Sequence, residues 1–336
     1  MSDNLFHVTC STDDKYARHC GAMLCSLLDN NKQYSFHIHI LIDELSDQNM
    51  KDLLAVCNKF HSLLSFHKVN KTVLQGVKFR NKNPLSYAAY YRVLLPTILD
   101  ASIHKVLYLD CDIIVVSDIS RLFLIEIDDY ALAAVRDFSP GSDLHRTQLS
   151  LPYKEKYFCS GVMMINLDFW RDFNAQEKLI EYSKRERFVF LHDQDSLNYV
   201  FKGRWYELPP KWNRWNKAII NPSIFEKEFD KYEYYKSPVI IHYGAKNSKP
   251  WYNLPFTPYK SLYWKYIRMT PWKNSKPVKY KVGLKYYIDS LIQIFLNFTY
   301  KLPYLLQLCI FFVIDLLILI YSLIKGKTFI CNKYLR

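Results

Sequence analysis

HKVLYLDCD, residues 104–112, is the stretch on which the reading of this chain turns. Val106, Leu107, Tyr108 and Leu109 make the short apolar run of a strand covered on both faces. Asp110 and Asp112 follow where such a strand would end. In a parallel α/β sheet, ligands bind outside the carboxyl ends of the strands. Two hard oxygen donors there suit Mg²⁺ or Mn²⁺ holding a diphosphate. A lone Asp-x-Asp is more often a turn cap beside a solvated carboxylate, so the flanking sequence has to decide.

Upstream, Leu5–Cys10 reads as a strand, and a polar turn, Ser11-Thr12-Asp13-Asp14, leads into a helix over Lys15–Asn30. Asp13 or Asp14 is placed as its N-cap, or as part of a loop that recognises a nucleotide. Phe36–Ile42 and Leu63–Val69 read as the next strands, with a helix over Ser46–Phe60 between them. His37 and His39 fall on one strand face; with no third ligand nearby in sequence, the pair reads as packing. Tyr87–Leu95 is helical in period and carries Arg92, which is either solvated or within reach of a phosphate or sugar. This alternation of strands and helices predicts a mostly parallel α/β sheet with helices on its faces.

Downstream, Tyr130–Val135 reads as a strand ending at Arg136-Asp137, and residues 139–156 as a mobile surface loop. Tyr157–Asn166 is a strand in which Ser160 and Gly161 let a ligand approach the backbone. Helices follow over Leu167–Arg171 and Glu177–Arg187. His192-Asp193-Gln194-Asp195 precedes a helix over Ser196–Phe201; the acids could be a helix start alone. Trp205–Trp215 suggests an irregular aromatic wall, and Val239–Ile241 a short strand running into His242-Tyr243-Gly244.

Composition narrows the function. Half of the residues are hydrophobic and 16% aromatic, enough for a large core, and only eight are glycine. Neither GxGxxG nor GxxxxGK occurs, which argues against a dinucleotide dehydrogenase and a P-loop enzyme. Eight cysteines without CxxC spacing read as reduced thiols. MSDNLFHVTCSTDD has no basic segment followed by an apolar one, which argues against a signal peptide or type II anchor.

Taken together, six blocks resemble glycosyltransferase family 8, the retaining GT-A enzymes that include bacterial lipopolysaccharide α-galactosyl- and α-glucosyltransferases. They are STDDKYA at 11–17, YYR at 90–92, KVLYLDCDIIV at 105–115, SGVMMINLDFWR at 160–171, HDQDSLNYVFKG at 192–203 and IHY…KPW over 241–251. The resemblance implies a GT-A-type nucleotide-binding sheet and a UDP-hexose donor, galactose or glucose, with Mn²⁺ or Mg²⁺ on Asp110, Asp112 and His242. It also implies Lys249 and Gly244 at the diphosphate, and Thr12, Asp13 and Tyr16 at uracil and ribose. Arg92, Asp110 and Asp193 would meet the donor sugar, Gln194 or Asp193 the anomeric carbon, and Asp137 an acceptor hydroxyl. Two departures stand out. Cys159 replaces the family's usual Asn, and the His242-to-Lys249 segment is one residue longer than the commonest spacing. An amide on the sugar face favours a front-face retaining mechanism, with an Asp193 nucleophile as the rival.

The net charge of +13 is uneven: residues 260–336 carry 13 Lys/Arg and two acids, Asp289 and Asp315. Val282–Phe298 has helical apolar spacing, and Tyr304–Ile324 is a 21-residue apolar run broken mainly by Gln307 and Asp315. The expectation is a catalytic domain over 1–260 and a basic, apolar helical tail over 261–336. That tail would attach peripherally or monotopically at the cytoplasmic face of a bacterial inner membrane, beside a lipid-linked acceptor. Nucleic acid fits less well, because the charge is interleaved with the apolar run. Two other readings share these features: a glycogenin-like, protein-directed transferase, and a catalytically silent, membrane-bound glycan-assembly protein.

Overall fold

A computed structural model describes residues 5–77, 87–139, 142–152, 154–185, 193–216, 236–244 and 248–283, with isolated positions between 286 and 316. The expected apolar run 304–324 and most of 282–298 lie outside the described residues, apart from those isolated positions. Among the described residues, no helix is long and apolar enough to cross a membrane.

The first half alternates β1 (Leu5–Ser11), α1 (Ala17–Asp29), β2 (Ser35–Ile42), α2 (Asp47–Lys59) and β3 (Leu63–Lys68). A 3-10 turn over Tyr87–Leu94 then runs into α3 (Leu95–Ile98), β4 (Lys105–Leu109), β5 (Ile113–Val115) and α4 (Ser120–Phe123). The second half holds β6 (Leu132–Arg136), α5 (Ser142–Gln148), β7 (Phe158–Asn166), α6 (Leu167–Asp172), α7 (Ala175–Lys184) and α8 (Asp193–Val200). It closes with β8 (Trp205–Leu208), β9 (Arg214–Trp215), β10 (Ile240–His242) and α9 (Lys260–Ile267).

Seven strands form one sheet in the order β3-β2-β1-β4-β7-β6-β8. It is parallel except at β7, which runs antiparallel to both neighbours. The mostly parallel α/β architecture is therefore as expected. A second, three-stranded sheet, β5-β10-β9, caps the carboxyl end of β4. Both faces of the main sheet are covered. In β4, Leu107 and Leu109 point into the core shared with α1, and Val106 and Tyr108 into the opposite one with Trp170 and Leu197. That two-sided burial is why the strand reads as an unbroken apolar run.

Several local expectations need correction. Tyr87–Leu95 is not one α-helix, because Pro96 fits only the first turn of a helix and a new one starts there. The expected loop 139–156 contains α5, and Leu149, Leu151 and Tyr157 pack against Tyr182 and Tyr199. The wall over 205–215 includes the strands β8 and β9. The helix expected from Ser196 already begins at Asp193. Core packing also runs past residue 260. Tyr263, Tyr266 and Ile267 of α9 are buried in the main core, and Trp272 lies so close over Gly21 that a Cβ there would collide with its ring.

Candidate active site

The register of the sheets brings the acidic pair, a glycine and a histidine together. Where β4 ends, the Asp110 N–H donates to the Gly161 carbonyl at 2.9 Å, tying the acid to β7. β10 lies antiparallel to β5 with His242 opposite Ile113, and the Tyr243 N–H donates to the Asp112 carbonyl at 2.9 Å. One ligand atom from each of Asp110, Asp112 and His242 lies within 4.8 Å of the others. His242 Nε2 is 3.2 Å from Asp112 Oδ1 and 3.9 Å from Asp110 Oδ2.

The other face of the imidazole is held by a residue that no motif singled out. Asn213 presents its Oδ1 3.0 Å from His242 Nδ1, and Cys159 Sγ lies 3.9 Å from the same nitrogen. With a carbonyl there, Nδ1 carries a proton, and Nε2 is the nitrogen turned toward the carboxylates. This is how a metal-ligating imidazole is oriented by a partner behind it. Asn213 comes from the aromatic stretch just before β9, which offers no sequence signal beyond its place beside the cleft.

Two observations test the cluster against a divalent cation. Asp112 Oδ1 is buried and faces His242 Nε2 at 3.2 Å without a well-formed hydrogen bond. At Gly161 there is no room for a side chain: a Cβ would collide with His242 Cε1 and stand 2.8 Å from Asp110 Oδ2. An open oxygen–oxygen–nitrogen set with a bare backbone beside it fits Mn²⁺ or Mg²⁺.

Cations of the chain balance the acids. Lys249 Nζ pairs with Asp112 Oδ2 and lies 3.5 Å from the Gly244 carbonyl. Burial alone would raise the Asp112 pKa, but Lys249 and His242 outweigh it and hold the carboxyl well below the usual range. Burial likewise opposes a charge on His242, yet the neighbouring Asp112 pushes its pKa up to about 10. Gly244 is confined, since a Cβ would meet the Trp215 ring at 3.3 Å and His242 Nε2 at 3.4 Å.

Arg92 is not solvated. It is 4% exposed, stacks its guanidinium 4.1 Å over the Tyr108 ring, and links Asp110 Oδ1 at 2.8 Å to Asp193 Oδ2 at 3.1 Å. Its Nη1 also donates to the Ser160 carbonyl at 2.6 Å. Burial raises the Asp193 pKa to about 6 against the pull of Arg92, with Asp110 adding to the rise.

Gln194 is fixed at both ends of its amide: Oε1 accepts from the Ser160 N–H at 2.9 Å and Nε2 donates to Asp137 Oδ2 at 3.1 Å. Asp137 is only 2% exposed and also accepts from the Ser139 N–H at 2.8 Å. Its other contacts are thus within the protein. His192, from the same block as Gln194, lies outside the described residues.

The first loop forms the opposite wall. Asp13 Oδ1 accepts the Tyr16 N–H at 2.9 Å, closing the turn before α1, whereas Asp14 reaches across to Ser46 and Asn49 at the start of α2. Thr12 is buried and holds the loop to β2 by donating its N–H to the Leu41 carbonyl at 3.2 Å. Tyr16, 38% exposed, meets the Trp251 ring edge-on, and His19 stacks on the other side of that wall at 3.6 Å from Trp251. The loop after β1 and the Lys-Pro-Trp block, over 230 residues apart, are one surface.

A sequence model of glycosyl transferase family 8 matches residues 7–254, most of the chain. The chain belongs to that family. This family 8 glycosyltransferase is 32% identical to General stress protein A of Bacillus subtilis, over 81% of this chain and 96% of that protein. It is 28% identical to a lipopolysaccharide 1,2-glucosyltransferase of Escherichia coli, over 83% of this chain and 82% of the relative. Its fold is similar to that of the galactosyltransferase LgtC, solved in complex with donor and acceptor sugar analogs. That match has a TM-score of 0.67 at 21% identity and covers 84% of this chain and all of that one. Within this glycosyltransferase, Cys159, which stands where the family usually has Asn, and Asn213 both lie against His242 Nδ1.

Proposed function

We propose that this enzyme transfers a hexose, galactose or glucose, from a UDP-sugar to a lipopolysaccharide or another cell-surface glycan, with retention of anomeric configuration. The observation that carries the reading is the convergence of Asp110, Asp112, His242 and Lys249 at the carboxyl end of β4 in a family 8 chain. Asp110, Asp112 and His242 would hold Mn²⁺ or Mg²⁺, which when bound neutralises the diphosphate as it leaves. Lys249 exchanges Asp112 for a phosphate oxygen and adds a second positive charge beside the leaving group. Thr12, Asp13 and Tyr16, with Trp251 behind them, form the wall for the nucleoside; Gly244 lets the backbone approach the diphosphate.

Arg92 keeps Asp193 and Asp110 fixed around the donor sugar. Gln194 lies on the sugar face, and Asp137 behind it sets its orientation and receives an acceptor hydroxyl once the amide turns away. The bond from the anomeric carbon to the β-phosphate oxygen breaks, and its electron pair leaves with the phosphate. The acceptor oxygen attacks the same face, and its proton passes to the departing phosphate. Asp193 is a poorer nucleophile than a free carboxylate, since it is buried and paired with Arg92.

The acceptor class rests on the E. coli relative's name and on the basic tail over 261–336, which suits peripheral attachment to an anionic membrane at the cytoplasmic face. The test is hydrolysis of a panel of UDP-sugars with and without Mn²⁺, alongside an Asp110→Ala/Asp112→Ala variant. Metal-dependent turnover of one donor, lost in the variant and releasing the α-anomer by NMR, supports the reading. Absence of any Mn²⁺-dependent UDP-sugar binding overturns it, and a sugar adduct trapped on Asp193 overturns the front-face step.

A further inference from the structure

The same sheet carries a second cluster of metal-binding groups, built from different atoms. β1, β2 and β3 are parallel and in register, with His7 opposite His37, and His39 opposite both Thr9 and Ser65. His7, His37, His39 and His67 therefore come from three adjacent strands onto one face. One nitrogen from each of His7, His37 and His39 lies within 4.8 Å of the others. His7 Nδ1 stands 3.0 Å from His39 Nε2, and the His37 and His39 ring centroids are 4.0 Å apart.

Two further contacts settle which nitrogens remain available. His39 Nδ1 is engaged by His67 Nε2 at 3.0 Å, and His37 Nε2 by Ser65 Oγ at 2.8 Å. Each of these rings is thus held from behind, as imidazole ligands are in metal sites. His39 is buried, while His7 and His37 are half-buried and leave an approach from solvent. Burial lowers the pKa of all four rings, His39 to about 3, and neighbouring imidazoles add to the shift at His7, His39 and His67. Each ring is then neutral at neutral pH with one lone pair, and the ion would replace the proton shared by His7 Nδ1 and His39 Nε2.

We propose that His7, His37 and His39 form a zinc site, with His67 and Ser65 as positioning residues and a water in the fourth place. An all-imidazole set suits Zn²⁺ far better than Mn²⁺ or Mg²⁺, which take oxygen. Tetrahedral zinc with Zn–N bonds of about 2.0–2.1 Å sets its ligand nitrogens roughly 3.3 Å apart, close to the His7–His39 separation. The ion would cross-link β1 to β2, and through His67 brace the edge strand β3. The donors share no residue with the Asp110, Asp112 and His242 cluster, so the two sites are separable by mutation.

The experiment loads the full chain with ZnCl₂, removes free metal by gel filtration and measures bound zinc. It uses the Asp110→Ala/Asp112→Ala background so that the catalytic cluster does not contribute. The expected result is one zinc per chain, an X-ray absorption shell of three nitrogens at about 2.0–2.1 Å, and a higher melting temperature with zinc than with chelator. Adding His7→Ala and His37→Ala, both at half-buried positions, abolishes the bound zinc and the thermal shift. A zinc-free Asp-pair variant, undiminished zinc in the histidine variants, or an oxygen-dominated shell overturns the proposal. Should the histidine variants fail to fold, the absorption shell of the Asp-pair variant decides alone.

Discussion

Replacing Gly161 by alanine is a one-carbon change aimed at the Asp110, Asp112 and His242 cluster from behind. The new Cβ would collide with His242 Cε1, and it would lie 2.8 Å from Asp110 Oδ2 and 2.9 Å from His242 Nδ1, where ordinary contacts begin at 3.4 Å. Gly161 sits in β7 with ordinary strand geometry, so the alanine backbone itself is unstrained. The clash must be relieved by moving His242 or Asp110. His242 is boxed in by Asn213, Cys159 and Trp215, and Asp110 is tethered by Arg92. Overpacking of this kind costs about 1–3 kcal/mol of stability, which leaves the protein folded. A shift of about 1 Å in a reacting constellation costs on the order of 10²-fold in rate. Gly161→Ala should therefore lose roughly that much Mn²⁺-dependent turnover, with Mn²⁺ affinity falling in parallel by titration calorimetry and the melting transition still cooperative. Wild-type metal affinity and turnover in the variant would refute the claim that this glycine exists to make room for the cluster.

Three other outcomes follow from the same geometry. Lys249→Met frees Asp112 from its ammonium partner, so Mn²⁺ alone should bind about tenfold tighter, ~1.4 kcal/mol, while UDP binding weakens; calorimetry that shows weaker metal binding contradicts the exchange role. Burial, reinforced by Arg18, holds the His19 pKa down at about 3, below its usual 6.5. The folded state thus binds fewer protons than the unfolded one. The stability His19 contributes is complete above pH 6.5 and lost as the pH falls toward 3, at up to about 1.4 kcal/mol per pH unit. His19→Phe should flatten that acid limb in urea titrations, and an unchanged slope would count against it. Ending the chain after residue 259 removes buried Tyr263, Tyr266 and Ile267, at about 1.5–3 kcal/mol for each large side chain, and should abolish the cooperative transition in a thermal melt; a melt that stays cooperative near the full-length temperature would contradict this.

The legible parts of the sequence are those whose pattern depends on near neighbours. β1, α1, β2, α2 and β3 appear within a residue or two of expectation, because their apolar periods and the Ser46 cap are local. α5 was illegible for the same reason: Ser-Asp-Leu-His-Arg-Thr-Gln has no apolar stripe, and the segment is held by Leu149, Leu151 and Tyr157 around it. β7 reads as a strand but not in its direction. It is buried on both faces along all nine residues, so nothing in the pattern marks it as the one antiparallel member.

That reversal matters more than any single motif. Running against β4, β7 brings its first residues, Cys159 to Gly161, to the carboxyl end of β4, with Val162 opposite Leu109. A parallel β7 would have put Asn166 there and left Asp110 without the Gly161 gap. Ser160 then reaches both Arg92 and Gln194, so one short segment couples the Arg92–Asp110 pair to Gln194. His37 and His39 teach the same lesson about distance. Read along the strand they lack a third partner, yet His7 and His67 stand beside them once three parallel strands are in register. Site residues in this chain are recognisable one strand at a time, but their chemistry belongs to pairings between strands, and those are decided by the packing of the whole sheet.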